Sequence, residues 1–255
     1  MESISLSVMV PALNEEKNLR RTIDTLVPVL KSKVADWEII LVNDGSRDGT
    51  VSLANELAQA EPRIKVIHHL QRQGLGACWK DGVSVATKEA VVWFPGDGEN
   101  DPYELVKYLF LLEHVDMVIP YITNREVRPW HRRFLSRAFL WVINLSFGTM
   151  LSYITGNVLY RRCVFEAVKP ESDGFFTLTE CPIKAVHAGF TYAQVPERLG
   201  RRLHGRATIL SLRSIIIIIK EYIHLLFDIY FRGKAKASGE VLKNRGEGIG
   251  SVRTI

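Results

Sequence analysis

Apolar and polar positions along residues 1–120 fall into two alternating rhythms. Short runs rich in β-branched and aliphatic residues occur at Ile4–Val10, Glu38–Val42, Ile64–Ile67, Ala90–Phe94 and Asp116–Ile119. Between them, apolar residues recur every three or four positions, as in a helix with one buried face. Leu19, Ile23, Leu26 and Leu30 form the clearest such row, behind Asn14, which is placed to cap the helix. Further helices are predicted from about Gly49 to Ala60, from Gly76 to Thr87 and from the Asp101-Pro102 step. Strand and helix alternating at this spacing predict an α/β fold: a mostly parallel central sheet with helices on both faces.

Ligands of such sheets lie beyond the carboxyl ends of the strands. The polar clusters fall there, at Pro11–Glu16, Asn43–Asp48 and Pro95–Asp101. The second half is less regular. Arg125 to Arg137 holds five arginines with Trp130 and His131, and Arg198 to Arg206 holds four with His204 and no acid. Phe139–Leu151 reads as an apolar helix. From Ile215 to Phe231 the chain is again apolar, but Lys220, His224 and Asp228 fall four apart and make one polar stripe. A spanning helix needs about 20 mostly apolar residues. The pattern predicts instead a C-terminal amphipathic helix lying on a surface. The all-round apolar run Ile215–Ile219 points to burial in lipid or in a partner.

Composition agrees with a globular protein. The chain has 255 residues, 47% apolar and 24% charged, enough for a sizeable core and against a disordered or fibrous class. Three cysteines, Cys78, Cys163 and Cys181, form no CxxC pair, which suits a reducing compartment. Met1-Glu2-Ser3 lacks the basic start of a secretory signal. The net charge is +5, and residues 232–255, with six Lys/Arg against two acids, supply +4 of it. A basic tail favours an anionic partner, a membrane surface or nucleic acid.

Three strand-end motifs carry the chemistry: Val10-Pro11-Ala12-Leu13-Asn14-Glu15-Glu16, Val42-Asn43-Asp44-Gly45-Ser46-Arg47-Asp48-Gly49-Thr50, and Pro95-Gly96-Asp97-Gly98-Glu99-Asn100-Asp101-Pro102. In this order and spacing the chain resembles family-two glycosyltransferases of the GT-A, Rossmann-like fold. It looks like the branch that includes dolichol-phosphate mannose synthase and bacterial polyprenyl-phosphate sugar transferases. The resemblance covers about residues 4–210. It continues through Gly74-Leu75-Gly76-Ala77, Asp116–Ile119, Arg132–Arg137, Thr155-Gly156-Asn157 with Tyr160-Arg161, and Arg201–Arg206. Gly74-Leu75-Gly76 is no dinucleotide fingerprint, because Trp79 stands at the third glycine position.

The resemblance implies an inverting transferase whose donor is GDP-mannose or UDP-glucose and whose acceptor is polyprenyl or dolichyl phosphate. Pro11, Leu13, Glu15 and Asp44 would line the base and ribose slot, and Gly74 and Gly76 would let the backbone approach the donor. The family's Asp-x-Asp is here Pro95-x-Asp97, with Glu99 where a Gln usually stands. Asp97 and Glu99 are the expected ligands of Mg²⁺ or Mn²⁺, the counterion of a diphosphate leaving group. Arg132, Arg133, Arg202 and Arg206 would bind acceptor or donor phosphate. Tyr121-Ile122-Thr123 stands where the family has an Arg, and Ala207-Thr208 replaces the usual Ser-Lys. Asp97, Glu180 and Arg202 are the expected catalytic residues. Glu180-Cys181 stands near where relatives acting on hydroxyls carry an Asp base, and an anionic phosphate acceptor needs no base. The expected layout is a catalytic domain over 1–208, an interfacial helix over 209–231 and a basic tail over 232–255. The partner is an anionic membrane, at its cytoplasmic face, and not nucleic acid. Two alternatives remain: transfer to a sugar hydroxyl of a polysaccharide or glycolipid, and a non-catalytic nucleotide-sugar-binding protein.

Overall fold

A computed structural model describes residues 4–97, 100–124, 126, 129–198, 200 and 212–232. Its centre is a seven-stranded sheet made of β1 (Leu6–Ala12), β2 (Trp37–Asn43), β3 (Ile64–His68), β4 (Ala90–Trp93), β5 (Met117–Ile122), β6 (Leu159–Arg161) and β7 (Tyr192–Glu197). The spatial order is β3-β2-β1-β4-β6-β5-β7. Every pairing is parallel except those of β6, which runs antiparallel to β4 and β5.

All seven residues of β2 are buried, as a parallel strand covered on both faces requires. Alternate side chains feed two cores. Val8, Val10, Ile39 and Leu41 point to one face, packed by α1 (Leu19–Lys33), α2 (Thr50–Ala60) and α4 (Pro102–Val106). Met9, Ile40, Val42 and Trp93 point to the other, packed by α3 (Leu75–Val85), α5 (Trp130–Phe147), α7 (Thr177–His187) and α8 (Leu212–Phe227). A short α6 (Val164–Ala167) follows β6, and α8 runs on into a turn of π-helix at Asp228–Arg232.

The predicted α1 row is the buried row: Leu19, Ile23, Leu26 and Leu30 all lie inside. Its start differs from expectation. Asn14 takes a left-handed backbone, φ 56°, and the helix begins at Leu19. Asn14 instead ties two loops together, accepting from the Arg47 N–H at 2.9 Å while its own N–H donates to Ser46 Oγ. Asp101 does cap α4, accepting from the Tyr103 N–H at 2.9 Å.

One buried carboxylate pins the amino edge of the sheet. Glu38 accepts from Ser7 Oγ at 2.7 Å, from the Thr87 N–H at 2.7 Å and from Thr87 Oγ1 at 3.0 Å, and it pairs with Lys65 at 2.6 Å. Burial opposes its ionisation, but the bonds from Lys65, Ser7 and Thr87 win and hold it down to about 2. Its stabilisation is therefore full above the ordinary carboxyl value and is lost as pH falls through that range towards 2. Glu38→Gln should cost about 3 kcal/mol of unfolding free energy at neutral pH. It should also flatten the acid limb of stability, measured by urea denaturation between pH 3 and 7. An unchanged acid limb would refute the assignment.

Candidate active site

The opposite, carboxyl edge of the sheet gathers the polar motifs. The β1–α1 and β2–α2 loops are laced together: Glu15 N–H donates to Thr50 Oγ1 at 2.9 Å, and Gly49 N–H donates to Glu16 Oε2 at 3.1 Å. The Glu15 carboxylate, half-buried, accepts from Asn18 Nδ2 at 2.7 Å. Pro11 and Leu13 are half-buried on the same edge.

Asp44 ends β2 and is 5% exposed. Its Oδ1 accepts from the Gln73 N–H at 2.7 Å, the Gly74 N–H at 3.2 Å and the His69 ring Nδ1 at 2.9 Å. Its Oδ2 accepts from the same Gly74 N–H at 3.0 Å. The other ring nitrogen of His69 lies 3.0 Å from Asp81 Oδ2. Neither His69 nor Asp81 was singled out in the sequence, where they carry no motif. Asp44, His69 and Cys78 bring their ligand atoms within 4.8 Å of one another, as a metal site would. The hydrogen bonds already account for this cluster. Burial, then the charges of Asp44 and Asp81, push the Cys78 thiol up to about 12, so it stays protonated beside the carboxylate.

Asp44 shapes the loop that starts α3. Gly74 has φ 106°, and a Cβ there would stand 2.5 Å from the Asp173 carbonyl. A Cβ on Gly76 would stand 2.1 Å from the Ser172 carbonyl, and the Gly76 N–H donates to the Asp173 carbonyl at 2.8 Å. The two glycines thus admit backbone, and the backbone they meet is the strap 171–174.

Asp97 lies half-buried in the turn after β4, and the neighbouring Gly96 carbonyl accepts from Thr22 Oγ1 at 3.1 Å. Asn100 and Asn157, both in quoted motifs, bond each other at 3.0 Å. A carboxylate on this edge is a hard oxygen donor, the kind Mg²⁺ and Mn²⁺ take. Asp97 thus fits a divalent cation, and Glu99, its expected companion, lies outside the described residues. So do Arg202, Arg206, the side chain of Arg132 and the tail from residue 233. Arg133 lies half-buried in the first turn of α5.

Glu180 is 2% exposed, and both oxygens are committed. Oε1 accepts from the Glu171 N–H at 2.8 Å and Oε2 from the Ser172 N–H at 2.9 Å, while Lys184 pairs with it at 2.8 Å. Burial opposes ionisation, yet Lys184 and these N–H groups hold the carboxyl below its usual range. With these bonds Glu180 fastens the strap 171–174. A base held ionised, dry and fully bonded is a poor proton acceptor.

Lys184 also pairs with Asp228 at 2.8 Å, which docks the end of α8. Glu221 of α8 takes the Gly174 N–H, and its carboxyl is raised by burial first and by Glu180 and Asp173 next. Tyr222 and Tyr230 reach α5 at Ser146, by 2.6 Å and 2.5 Å bonds. The polar groups of α8 thus face the body in part, while Ile216, Ile219, Ile223 and Phe227 face outward. The adjoining α5 exposes Trp130, Phe134, Trp141 (66% exposed) and Leu145 in the same manner. Among the described residues no helix is long and apolar enough to cross a membrane.

Comparison with known proteins gives four findings. The family model described as Glycosyl transferase family 2 matches residues 7–169. Polyprenol monophosphomannose synthase of Mycolicibacterium smegmatis is 31% identical over 202 residues, which are 74% of this chain and 75% of that protein. Dodecaprenyl-phosphate galacturonate synthase of Rhizobium johnstonii is 28% identical over 173 residues, 66% of this chain and about half (51%) of that longer protein. Among solved structures, glucosyl-3-phosphoglycerate synthase from Mycobacterium tuberculosis, in complex with Mn²⁺, UDP-glucose and phosphoglyceric acid, superposes with a TM-score of 0.63. It is 22% identical, over 89% of this chain and 79% of that one, a likeness of fold.

Glu180→Gln should lower the unfolding free energy by about 3 kcal/mol, because Lys184 loses one of its two close carboxylates and the Glu171 and Ser172 N–H groups lose a charged acceptor. Turnover per folded molecule should keep its pH profile. A variant as stable as the parent, with turnover cut a hundredfold or more, would restore Glu180 as the base.

Proposed function

Because this chain belongs to glycosyl transferase family 2 and is a glycosyltransferase of the GT-A fold, we propose that it moves a hexose from a nucleotide sugar, GDP-mannose or UDP-glucose, to a polyprenyl phosphate. The observation that carries the acceptor is the polarity of α5 and α8. Both turn apolar rows outward, and Glu221 of α8 and Asp228 just after it bond the body instead of water. Exposed apolar surface of this extent marks an interaction site. A lipid interface fits it, and the +4 tail suits anionic headgroups. The names of the relatives, a polyprenol-phosphate and a dodecaprenyl-phosphate sugar synthase, support the same acceptor class. The protein would then work as a peripheral enzyme at the cytoplasmic face.

In this reading Asp44 accepts an N–H of the base, Glu15 accepts from ribose hydroxyls, and Pro11 and Leu13 form the slot wall. The backbone at Gly74 and Gly76 runs beside the donor. Asp97 and Glu99 would hold Mg²⁺ or Mn²⁺, which supplies charge for the leaving diphosphate. Arg132, Arg133, Arg202 and Arg206 orient the phosphates. An acceptor phosphate oxygen forms the bond to the anomeric carbon as the bond from that carbon to the nucleoside diphosphate breaks. The electron pair leaves with the diphosphate, and the centre inverts. The acceptor arrives as an anion, so no side chain has to remove a proton. That Glu180 is fully bonded elsewhere is consistent with this economy.

The test uses the full chain, vesicles of anionic lipid with polyprenyl phosphate, and radiolabelled donor. Label should enter the lipid fraction and fall at least about a hundredfold with excess chelator or with Asp97→Ala. The protein should float with the vesicles. Ile216→Glu, Ile223→Glu and Phe227→Glu together should return it to the soluble fraction. Label appearing only in soluble hydroxyl acceptors, or full turnover in chelator, would overturn the proposal.

A further inference from the structure

The turn that carries Asp97 is held from two sides of the sheet. On the β1 side, a Cβ on Gly96 would stand 2.9 Å from the Pro11 carbonyl, and the Gly96 carbonyl accepts from Thr22 Oγ1 at 3.1 Å. On the β6 side, Asn157 Nδ2 donates to Asn100 Oδ1 at 3.0 Å. Asn100 stands three residues after Asp97 and directly before Asp101, the cap of α4. The backbone that presents Asn157 is itself fixed. The Val158 N–H donates to the Gly156 carbonyl at 3.0 Å, and a Cβ on Gly156 would stand 3.1 Å from the Pro120 ring. Asn157 is 8% exposed and shares the wall of a small cavity with Leu105, Val118, Leu159 and Val195, and with Glu104 and Glu197. Among the described residues Asn100 is the one hydrogen-bond partner of the Asn157 side chain. Burying an amide for one bond to a half-exposed group adds little stability. A leucine branches at the same carbon, has the cavity to fill and desolvates no polar group. Local choices that stability alone does not favour belong to functional sites.

We propose that Asn157 is a positioning residue for the metal turn: by its bond to Asn100 it sets, from the β6 side, where Asp97 stands to meet a divalent cation. This rests on Asp97 holding Mg²⁺ or Mn²⁺ in the proposed function. Thr22 fixes the chain just before Asp97, and Asn157 fixes the chain after it. A carboxylate binds a cation best when its place is set beforehand, because ordering the turn on binding subtracts from the affinity. Groups that hold a metal ligand in place typically contribute about ten- to a hundredfold in metal affinity. Asn157 acts one residue further out, through Asn100, so the lower end of that range applies.

The experiment measures Mn²⁺ binding to the full chain by loss of the free-Mn²⁺ paramagnetic resonance signal, with saturating UDP and, separately, saturating GDP. Parent, Asn157→Leu, Asn100→Ala, the double variant and Asp97→Ala are compared, and thermal melting without metal checks each fold. With the nucleotide that the parent prefers, Asn157→Leu should weaken Mn²⁺ about tenfold while melting no lower than the parent. Asn100→Ala should act alike. The double variant should lose no more than either single one, because both remove the same bond. Excess Mn²⁺ should return the turnover of Asn157→Leu to a kcat near that of the parent. Unchanged Mn²⁺ affinity in a folded Asn157→Leu protein would overturn the role of Asn157, and so would losses that add in the double variant. If Asn157→Leu melts lower, Asn100→Ala decides from its half-exposed position: an affinity equal to the parent's overturns the proposal. The metal site of the proposed function fails instead if Asp97→Ala binds Mn²⁺ as the parent does, or if the parent binds none with either nucleotide.

Discussion

The site depends on one buried carboxylate receiving main-chain hydrogen bonds. Asp44 stands at the end of a strand that is buried on both faces, so its position is set by the sheet. By accepting from Gln73 and Gly74 it draws the next connection over the carboxyl edge and fixes where α3 begins. Without it, the N–H groups of that turn would be orphaned next to the core. The left-handed Gly74 and the Cβ-free Gly76 then let α3 start against the strap 171–174. The rest of the carboxyl edge is assembled from that point outward.

The strap joins two parts of the molecule that the sequence separates by about a hundred residues. On one side its Asp173 carbonyl receives the Gly76 N–H, and its Asp173 side chain pairs with Lys80 of α3. On the other, Glu180 holds its N–H groups, Gly174 bonds Glu221, and Lys184 joins Glu180 to Asp228. The outward-facing apolar helix is therefore fastened to the same backbone that walls the glycine turn. A charge network of this kind costs desolvation and adds little net stability, but it specifies one docking of α8. That docking is what leaves the isoleucines outside.

The period-2 and period-3.6 patterns made the sheet and its flanking helices legible, because burial on two faces leaves few other ways to place Val8, Met9, Ile39 and Ile40. The α1 start was misplaced at Asn14, since a left-handed residue that ties loops looks, in sequence, like a cap. Asp44, Asp97 and the glycines were legible as strand-end motifs. His69 and Asp81 were not, because their partnership arises only when β3 and α3 meet around Asp44. The bonding of Glu180 was hidden for the same reason: its lysine lies one turn on, but the amides that bond it come from a strap with no periodicity. The polar stripe of the last helix was visible, whereas its partial turning toward the body required the acceptors and cations of 171–184.

The central claim, that the nucleotide lies on the carboxyl edge around Asp44, is tested most directly by amide hydrogen exchange on the full chain. Exchange is followed with and without saturating nucleoside diphosphate and Mn²⁺. The account expects added protection in the loops after β1 and β2 and at Gln73 to Gly76, with the amino-edge contacts around Glu38 unchanged. Binding that leaves 70–78 and 40–48 untouched while protecting another part of the molecule would contradict it.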